Sequence, residues 1–429
     1  MPASVSQSIV IATGAPLCRN PRVVKEATAL AEAGYRVTVL RPVLDAGWAA
    51  RDAQIAAVAP FSVMTTADLT ASAPASLFFR AERFIGGRGF ATLPYLAPRA
   101  LGYGVMRTIR LARQLRGDLV IGHQEVGLAV AEALARDGQR TGVDIEDWYS
   151  EDLLPEARVH RPVAWLARAE NAAVRRGGMV TTTSHALAEA LADASGGPAP
   201  AVVYNVFPWS DREALDGEAR DRPPGDASLP SLHWVSQTIG PGRGLEELCD
   251  ALTLVDTPVQ LHLRGDISAA DEAWLRGRFP SARGHRLHLH GLVAPSELLS
   301  RIAEHDIGLA LEAVDPPSRN LTVTNKMFHY LLAGLAVVAT RTAGQAEIAA
   351  SVPAAIATCR PGDAASLAAA INELVSDPAR LAAAHKAALD AARDTYCWER
   401  QKATVLGLVA AALDAPPAKP SRPAPPQSK

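Results

Sequence analysis

The strongest constraint on this chain is a unit that recurs along it: a short apolar run, a polar or glycine-bearing loop, then an amphipathic helix. It first appears at residues 8–13, passes through the loop 14–21, and continues with Val23, Val24, Ala27, Leu30 and Ala31 at helical spacing. Gly34 ends that helix and residues 35–40 alternate as a strand. The apolar runs return at 118–121, 141–145, 179–182 and 201–204, and again at 231–236, 259–264, 286–290, 307–311 and 336–339. Strands separated by helices pair in parallel, because a crossover long enough to hold a helix brings the chain back in the same direction. Between 205 and 229 the periodicity lapses into acidic, proline-rich sequence, which reads as a boundary. The expected fold class is therefore α/β, with two Rossmann-like, doubly wound domains. The expected divisions are 1–205 for the first domain, 206–229 for a linker, 230–395 for the second domain, 396–414 for a terminal helix and 415–429 for a disordered proline-rich tail.

Charge and cysteine usage narrow the partners. A formal net charge of −2 supplies no global field toward a polyanion, so nucleic acid is not expected. Cys18, Cys249, Cys359 and Cys397 are far apart with no CxxC pair, which suits a reduced compartment without a disulfide frame or zinc site. The first residues lack the basic region and long apolar run of a signal peptide, so a cytoplasmic protein is expected. No segment approaches the ~20 apolar residues that cross a bilayer, and any membrane contact is expected to be peripheral. Residues 80–116 are the candidate surface for it. Arg80, Arg83, Arg88, Arg99, Arg107, Arg110, Arg113 and Arg116 stand there against Glu82 alone, with Phe84, Phe90 and Tyr95 interleaved. Arginines among aromatics suit anionic lipid head groups or a polyanionic acceptor; the competing reading is a solvated basic helix face.

The stretch 320–348, NLTVTNKMFHYLLAGLAVVATRTAGQAEI, carries the main functional expectation. Two loops there each run into a helix start, one at Asn325 and Lys326 and the other near Gly344, and free N–H groups at both would suit a phosphate. An ordinary strand and helix of an α/β core is the alternative. The loop QTIGPGRG adds Gly240 and Gly242 around Arg243, letting backbone approach a ligand while a guanidinium contacts it. His123 follows a strand at the edge where doubly wound domains bind ligands, a place for an acid/base or hydrogen-bonding group. Arg19 and Arg22 in the first loop, and Asp147 in the acidic run after residue 145, are candidates for the acceptor side. His285, His288 and His290 resemble a metal triad, but His288 and His290 share a strand face with Leu287 and Leu289 on the other, so no metal is expected.

These segments resemble a known family. PRVVKEATALAEAGYRVTVL, WVSQTIGPGRGLEEL, HGLVAPSELLSRIAEHDIGLAL and NKMFHYLLAGLAVVATRTAGQAEI are similar to the corresponding segments of GT-B glycosyltransferases, most closely the retaining family 4 group, over roughly residues 9–413. The resemblance implies two Rossmann-like domains facing each other across a cleft, with the last helix returning to the first domain. It implies a nucleoside-diphosphate sugar held by the second domain, its diphosphate between Arg243 and the helix start at Asn325 and Lys326. It also implies His123 facing the transferred sugar, Gly344 and Glu347 at the donor, and a glycan, lipid-linked or small-molecule acceptor. Retention at the anomeric carbon and no metal or other cofactor are implied as well. The sequence departs from the family at one point. The usual pair of glutamates spaced Glu-x7-Glu is replaced by Leu321 and His329; a carboxylate accepts two ribose hydroxyls, a neutral imidazole one. His329 shares a helix face with Lys326 and can still reach a ribose, and Glu312 is a candidate contact to the sugar. The alternatives are a catalytically degenerate binding subunit and a sugar-nucleotide epimerase.

Overall fold

The computed structural model describes residues 6–70, 73–222 and 229–416, and the chain forms two compact units. The first comprises residues up to Val203 together with those from Lys402 onward; the second is Tyr204–Gln401. Most of the expected tail, 417–429, lies outside the described residues.

The first unit holds a parallel sheet in the order β3-β2-β1-β4-β5-β6-β7. Its strands are β1 (Ser8–Ala12), β2 (Arg36–Val43), β3 (Ser62–Asp68), β4 (Leu119–His123), β5 (Thr141–Ile145), β6 (Met179–Thr182) and β7 (Ala201–Val202). The strands β1 and β4 are buried along almost their whole length, which is why they read as continuous apolar runs and not as alternating ones. The first helix, Pro21–Glu32, begins with Asn20 accepting a hydrogen bond from Val23 N and with Pro21 in its first turn. Its inner face meets Ile9, Ile11, Val37 and Val39 in one core, and Val409 and Leu413 of the last helix join that core. The helix Trp398–Asp414 thus ends on the first unit.

The second unit repeats the plan with the order β10-β9-β8-β11-β12-β13, again all parallel. Here β8 is Ser231–Ile239, β9 Gln260–Ile267, β10 Arg286–His290, β11 Ile307–Ala310, β12 Ala336–Thr340 and β13 Ile356–Cys359. In both sheets the strand order reverses beside the first strand, between β1 and β4 and between β8 and β11. Crevices at the carboxyl ends of strands flanking such a reversal are where doubly wound sheets take ligands.

The described part of the expected linker, residues 206–222, is not a free tether. Val206 enters the core with Phe328, Leu331 and Tyr396, the 3-10 helix Trp209–Ala214 follows, and Arg301 donates to Asp216 at 2.5 Å. Arg264 forms an ion pair with Asp221. The segment lacks periodicity because it packs as an irregular strap on the second unit, and helical or alternating spacing reports only regular elements.

Candidate functional site

In the first unit, β4 delivers His123 to the reversal point, and the next residue, Gln124, adopts a left-handed φ of 61° as the helix Gln124–Arg136 begins. A non-glycine residue in that region is uncommon and marks a constrained junction. His123 is fully buried. Its Nε2 lies 2.9 Å from Glu26 Oε2 and its Nδ1 lies 3.1 Å from Asp144 Oδ2 and 3.5 Å from Glu146 Oε1. Burial alone would lower the imidazole pKa, but the charge of Glu26 and hydrogen bonding to Asp144, Glu146 and Glu26 outweigh it, and the net shift is well upward.

Arg22, a candidate for the acceptor side, is buried and paired within the first unit. The guanidinium is buried and forks onto Asp144, with Nε at 2.6 Å and an Nη at 2.7 Å from the two carboxylate oxygens, while its other Nη donates to Val203 O at 2.8 Å. A planar fork matches a carboxylate, so Arg22 is consumed inside the unit. Burial would raise the Asp144 pKa, yet Arg22 first and then His123 hold it far below the usual carboxylate range. Both ring nitrogens of His123, expected to face the transferred sugar, lie beside carboxylates and are buried. Ligand atoms of His123, Asp144 and Glu146 fall within 4.8 Å of one another, close enough to hold a metal ion. Arg22 on both Asp144 oxygens competes with any such ion.

The two other first-unit candidates are exposed. Arg19 ends the 3-10 helix Leu17–Arg19, its guanidinium carbon 5.4 Å from the Trp48 ring centroid. Asp147 keeps solvent access while lying deep among protein atoms. That setting first, and the charges of Asp152, Glu146 and Asp144 next, raise its pKa to about 7.

In the second unit, the loop after β8 turns through Gly242 and Gly244 at φ of 74° and 79°. A side chain at 244 would also meet Leu311 Cβ at 2.9 Å, so glycine lets the loop close against the end of β11. The loop borders a cavity of about 440 Å³, lined by Gly242, Gly244, Glu246, Glu312, Arg360 and Asp363 among others. Arg243 is exposed beside it and donates to Ser236 Oγ at 3.0 Å. Gly240 precedes the turn and faces Asp271. Lys326, in the first turn of the helix Asn325–Ala333, reaches Glu312 Oε1 at 2.7 Å and lies 5.4 Å from the Trp234 ring centroid. Thr324 gives that helix no side-chain cap, and Asn325 is exposed at its start.

The rest of the 320–348 stretch is arranged differently from the expectation. At the second helix start, Asn320 Oδ1 accepts from Ala343 N at 3.1 Å and Thr342 Oγ1 from Gln345 N at 3.3 Å. Gly344 is explained by packing, since a Cβ there would meet Leu321 O at 2.4 Å and Thr322 O at 2.5 Å. The His329 ring stacks on Phe207 at 3.6 Å between centroids, and Tyr204 Oη donates to Glu347 Oε1 at 3.0 Å. Gly242, Glu312 and Lys326 are therefore brought to one place, with Arg243 beside them, whereas His329 lies against Phe207, Glu347 accepts from Tyr204 and Gly344 lies against 321–322. The loop 359–363 and Glu246 were missed. Asp363 before an alanine-rich helix is a readable N-cap, and it accepts from Ser366 N at 2.8 Å; that this cap closes the cavity has no local signal. His288 and His290 share one face with His262, while His285 turns away to accept from Val259 N.

A sequence model of the family "Glycosyl transferases group 1" matches residues 230–377, most of the second unit. Comparison with curated protein sequences gives no match. Among solved structures, sucrose-phosphate synthase from Thermosynechococcus elongatus is 16% identical with a TM-score of 0.66, covering 94% of this chain and 98% of that one. HepE from Anabaena, solved in complex with UDP-glucose, is 18% identical with a TM-score of 0.65, covering 94% and 99%. A glycosyltransferase from Rickettsia africae is 11% identical with a TM-score of 0.66, covering 96% and 100%. The fold is GT-B, and residues 230–377 match the model of a group 1 glycosyl transferase domain.

Proposed function

We propose that the protein transfers a sugar from a nucleoside-diphosphate sugar to a glycan, lipid-linked or small-molecule acceptor, with retention of anomeric configuration and without a metal. The observation that carries this reading is the convergence of the glycine loop, Arg243 and the Lys326 helix start at the strand-order reversal of the group 1 domain. A departing diphosphate needs positive charge. Arginine, lysine and an uncapped helix N-terminus supply it in place of a cation. That a relative of the same fold was solved with UDP and UDP-glucose supports a nucleotide sugar as the donor. Glu312 is the group we assign to the transferred sugar, since it sits beside Lys326 at the mouth of the cavity. For His123 we propose a positioning role: a buried positive charge that fixes Glu26, Asp144 and Glu146. Arg19 and Asp147 remain as acceptor-side groups.

The test is turnover against a panel of nucleotide sugars, with and without EDTA, with product configuration read by NMR. Nucleotide release with acceptor glycosylation, unaffected by EDTA and with the donor's anomeric configuration kept, is the expected outcome. Isomerisation of the donor would make the protein an epimerase, and binding without turnover a degenerate subunit; the loss of both family glutamates at Leu321 and His329 favours the latter as the second reading.

A membrane-borne acceptor is favoured by the helix Ala73–Gly89 and the residues after it. Leu77, Phe78, Phe84, Ile85, Leu93 and Tyr95 are all exposed there, beside Arg80, Arg83 and Arg88. Six large apolar side chains with arginines and one acid suit the boundary of an anionic bilayer. Among the described residues no helix is long and apolar enough to cross a membrane. Co-sedimentation with vesicles containing phosphatidylglycerol should fall at least several-fold for F78S/F84S; binding that ignores both anionic lipid and this variant would remove the proposal.

A further inference from the structure

The cavity that the preceding reading gives to a nucleoside diphosphate is lined by four carboxylates, Glu246, Glu247, Glu312 and Asp363, against one guanidinium, Arg360. Arg360 is itself paired with Asp363 at 2.6 Å. An anion entering such a cavity meets like charge, unless the carboxylates are occupying places that the anion then takes. Two contacts have that form. The ammonium of Lys326 rests on Glu312 Oε1 at 2.7 Å, and the loop amide of Gly242 donates to Glu246 Oε1 at 2.9 Å. Both donors belong to the elements that should hold phosphate, and both acceptors come from neighbouring elements. A carboxylate oxygen and a phosphate oxygen accept from ammonium and amide groups at the same distances, so one can replace the other without moving the donor. Glu246 is poorly held: its second oxygen is buried with no hydrogen-bond partner. The Lys326–Glu312 pair is partly open to solvent, 18% and 24% exposed, so it can be reached and exchanged.

We infer that Glu312, assisted by Glu246, is a stand-in anion that keeps the phosphate-binding groups of the second unit occupied and oriented until the donor displaces it. The inference rests on the nucleotide-sugar reading. On displacement, Lys326 passes to the phosphate and the Glu312 carboxylate is released beside it, where it accepts hydroxyls of the sugar. Glu312 then acts in two opposite senses. It competes with a bare nucleoside diphosphate, and it repays part of that competition when a sugar is attached. The residue therefore sets preference for the intact donor over the nucleotide product.

The test is calorimetric titration of the full chain with UDP, GDP and ADP, and then with the glucose conjugate of the tightest binder. Wild type is compared with Glu312→Gln, Glu246→Gln, Lys326→Ala and the Lys326→Ala/Glu312→Gln double variant. An exposed ion pair is worth up to about 1 kcal/mol, so Glu312→Gln should bind the diphosphate about two- to fivefold more tightly. The gain should vanish in the Lys326→Ala background, and the sugar conjugate should share in it less than the bare nucleotide. Glu246→Gln should tighten binding in the same sense, and unchanged binding there would remove Glu246 from the role. If Lys326→Ala weakens binding but Glu312→Gln leaves it unchanged or weaker, the stand-in role is overturned while the donor site stands. If Lys326→Ala has no effect, or none of the three nucleotides binds, the donor-site reading itself fails.

Discussion

At the scale of single residues, burial separates charges that hold the protein together from charges that can meet a ligand. Arg22 and Asp144 are chemically well suited to binding a substrate, yet their side chains are only 5% and 1% exposed. Removing one partner of such a pair strands the other in a low-dielectric setting, and that is what makes the pair costly to break. Arg22→Met should therefore lower stability by ~3 kcal/mol, near the low end for a broken buried pair because His123 and Thr181 still contact Asp144. Denaturant unfolding measures this; a loss below ~0.5 kcal/mol would show that Asp144 does not depend on its arginine. Sequence reasoning made Arg22 a candidate for the acceptor side because a loop arginine beside a helix start carries no mark of burial. The aspartate that claims it lies on a strand far away in the chain, and no local pattern announces that meeting. The placement of Lys326 and Arg243 was legible for the opposite reason: a helix start and a glycine turn are local.

At the scale of elements, most strands were readable because parallel strands buried on both faces are continuously apolar, whereas β3, half exposed, and the four-residue β13 were missed. The histidines of β8, β9 and β10 are the exception, and three of them share one register row. His233 pairs with His262, which pairs with His288. The His262 and His288 rings stack with centroids 4.4 Å apart, His233 stacks on His305, and Asp221, Arg264 and His290 complete the group. Spacing alone showed that His288 and His290 share a face; only the register shows that the face belongs to a row of imidazoles. Burial first, then neighbouring positive charge, lowers the pKa of His262 to about 2 and that of His290 to about 4, and His233 lies well below its ordinary value. These groups are neutral when folded and ordinary when unfolded, so between about 6.5 and about 4 the unfolded chain binds more protons. Stability is accordingly present above pH 6.5 and lost as pH falls toward 4. His262→Gln should flatten that acid-side loss in thermal unfolding from pH 7 to pH 4.5. An unchanged slope would mean the row contributes nothing to it.

At the scale of the whole molecule, the two units solve one architectural problem twice and use the result differently. Each sheet reverses its order beside its first strand and so leaves a crevice at the carboxyl ends. In the first unit that place is filled by an internal knot of Glu26, His123, Asp144 and Arg22; in the second it holds a cavity with exposed cationic groups at its edge. The fold was legible because it rests on repetition, and the irregular strap 206–222 was not, because it has none. The most direct measurement for the donor site is the affinity of the full chain for the tightest-binding nucleoside diphosphate, compared between wild type and Arg243→Ala. A charge-assisted hydrogen bond is worth ~1.5–3 kcal/mol, so the account predicts binding weakened by at least about tenfold with the melting temperature unchanged. Equal affinity in the two proteins would contradict it.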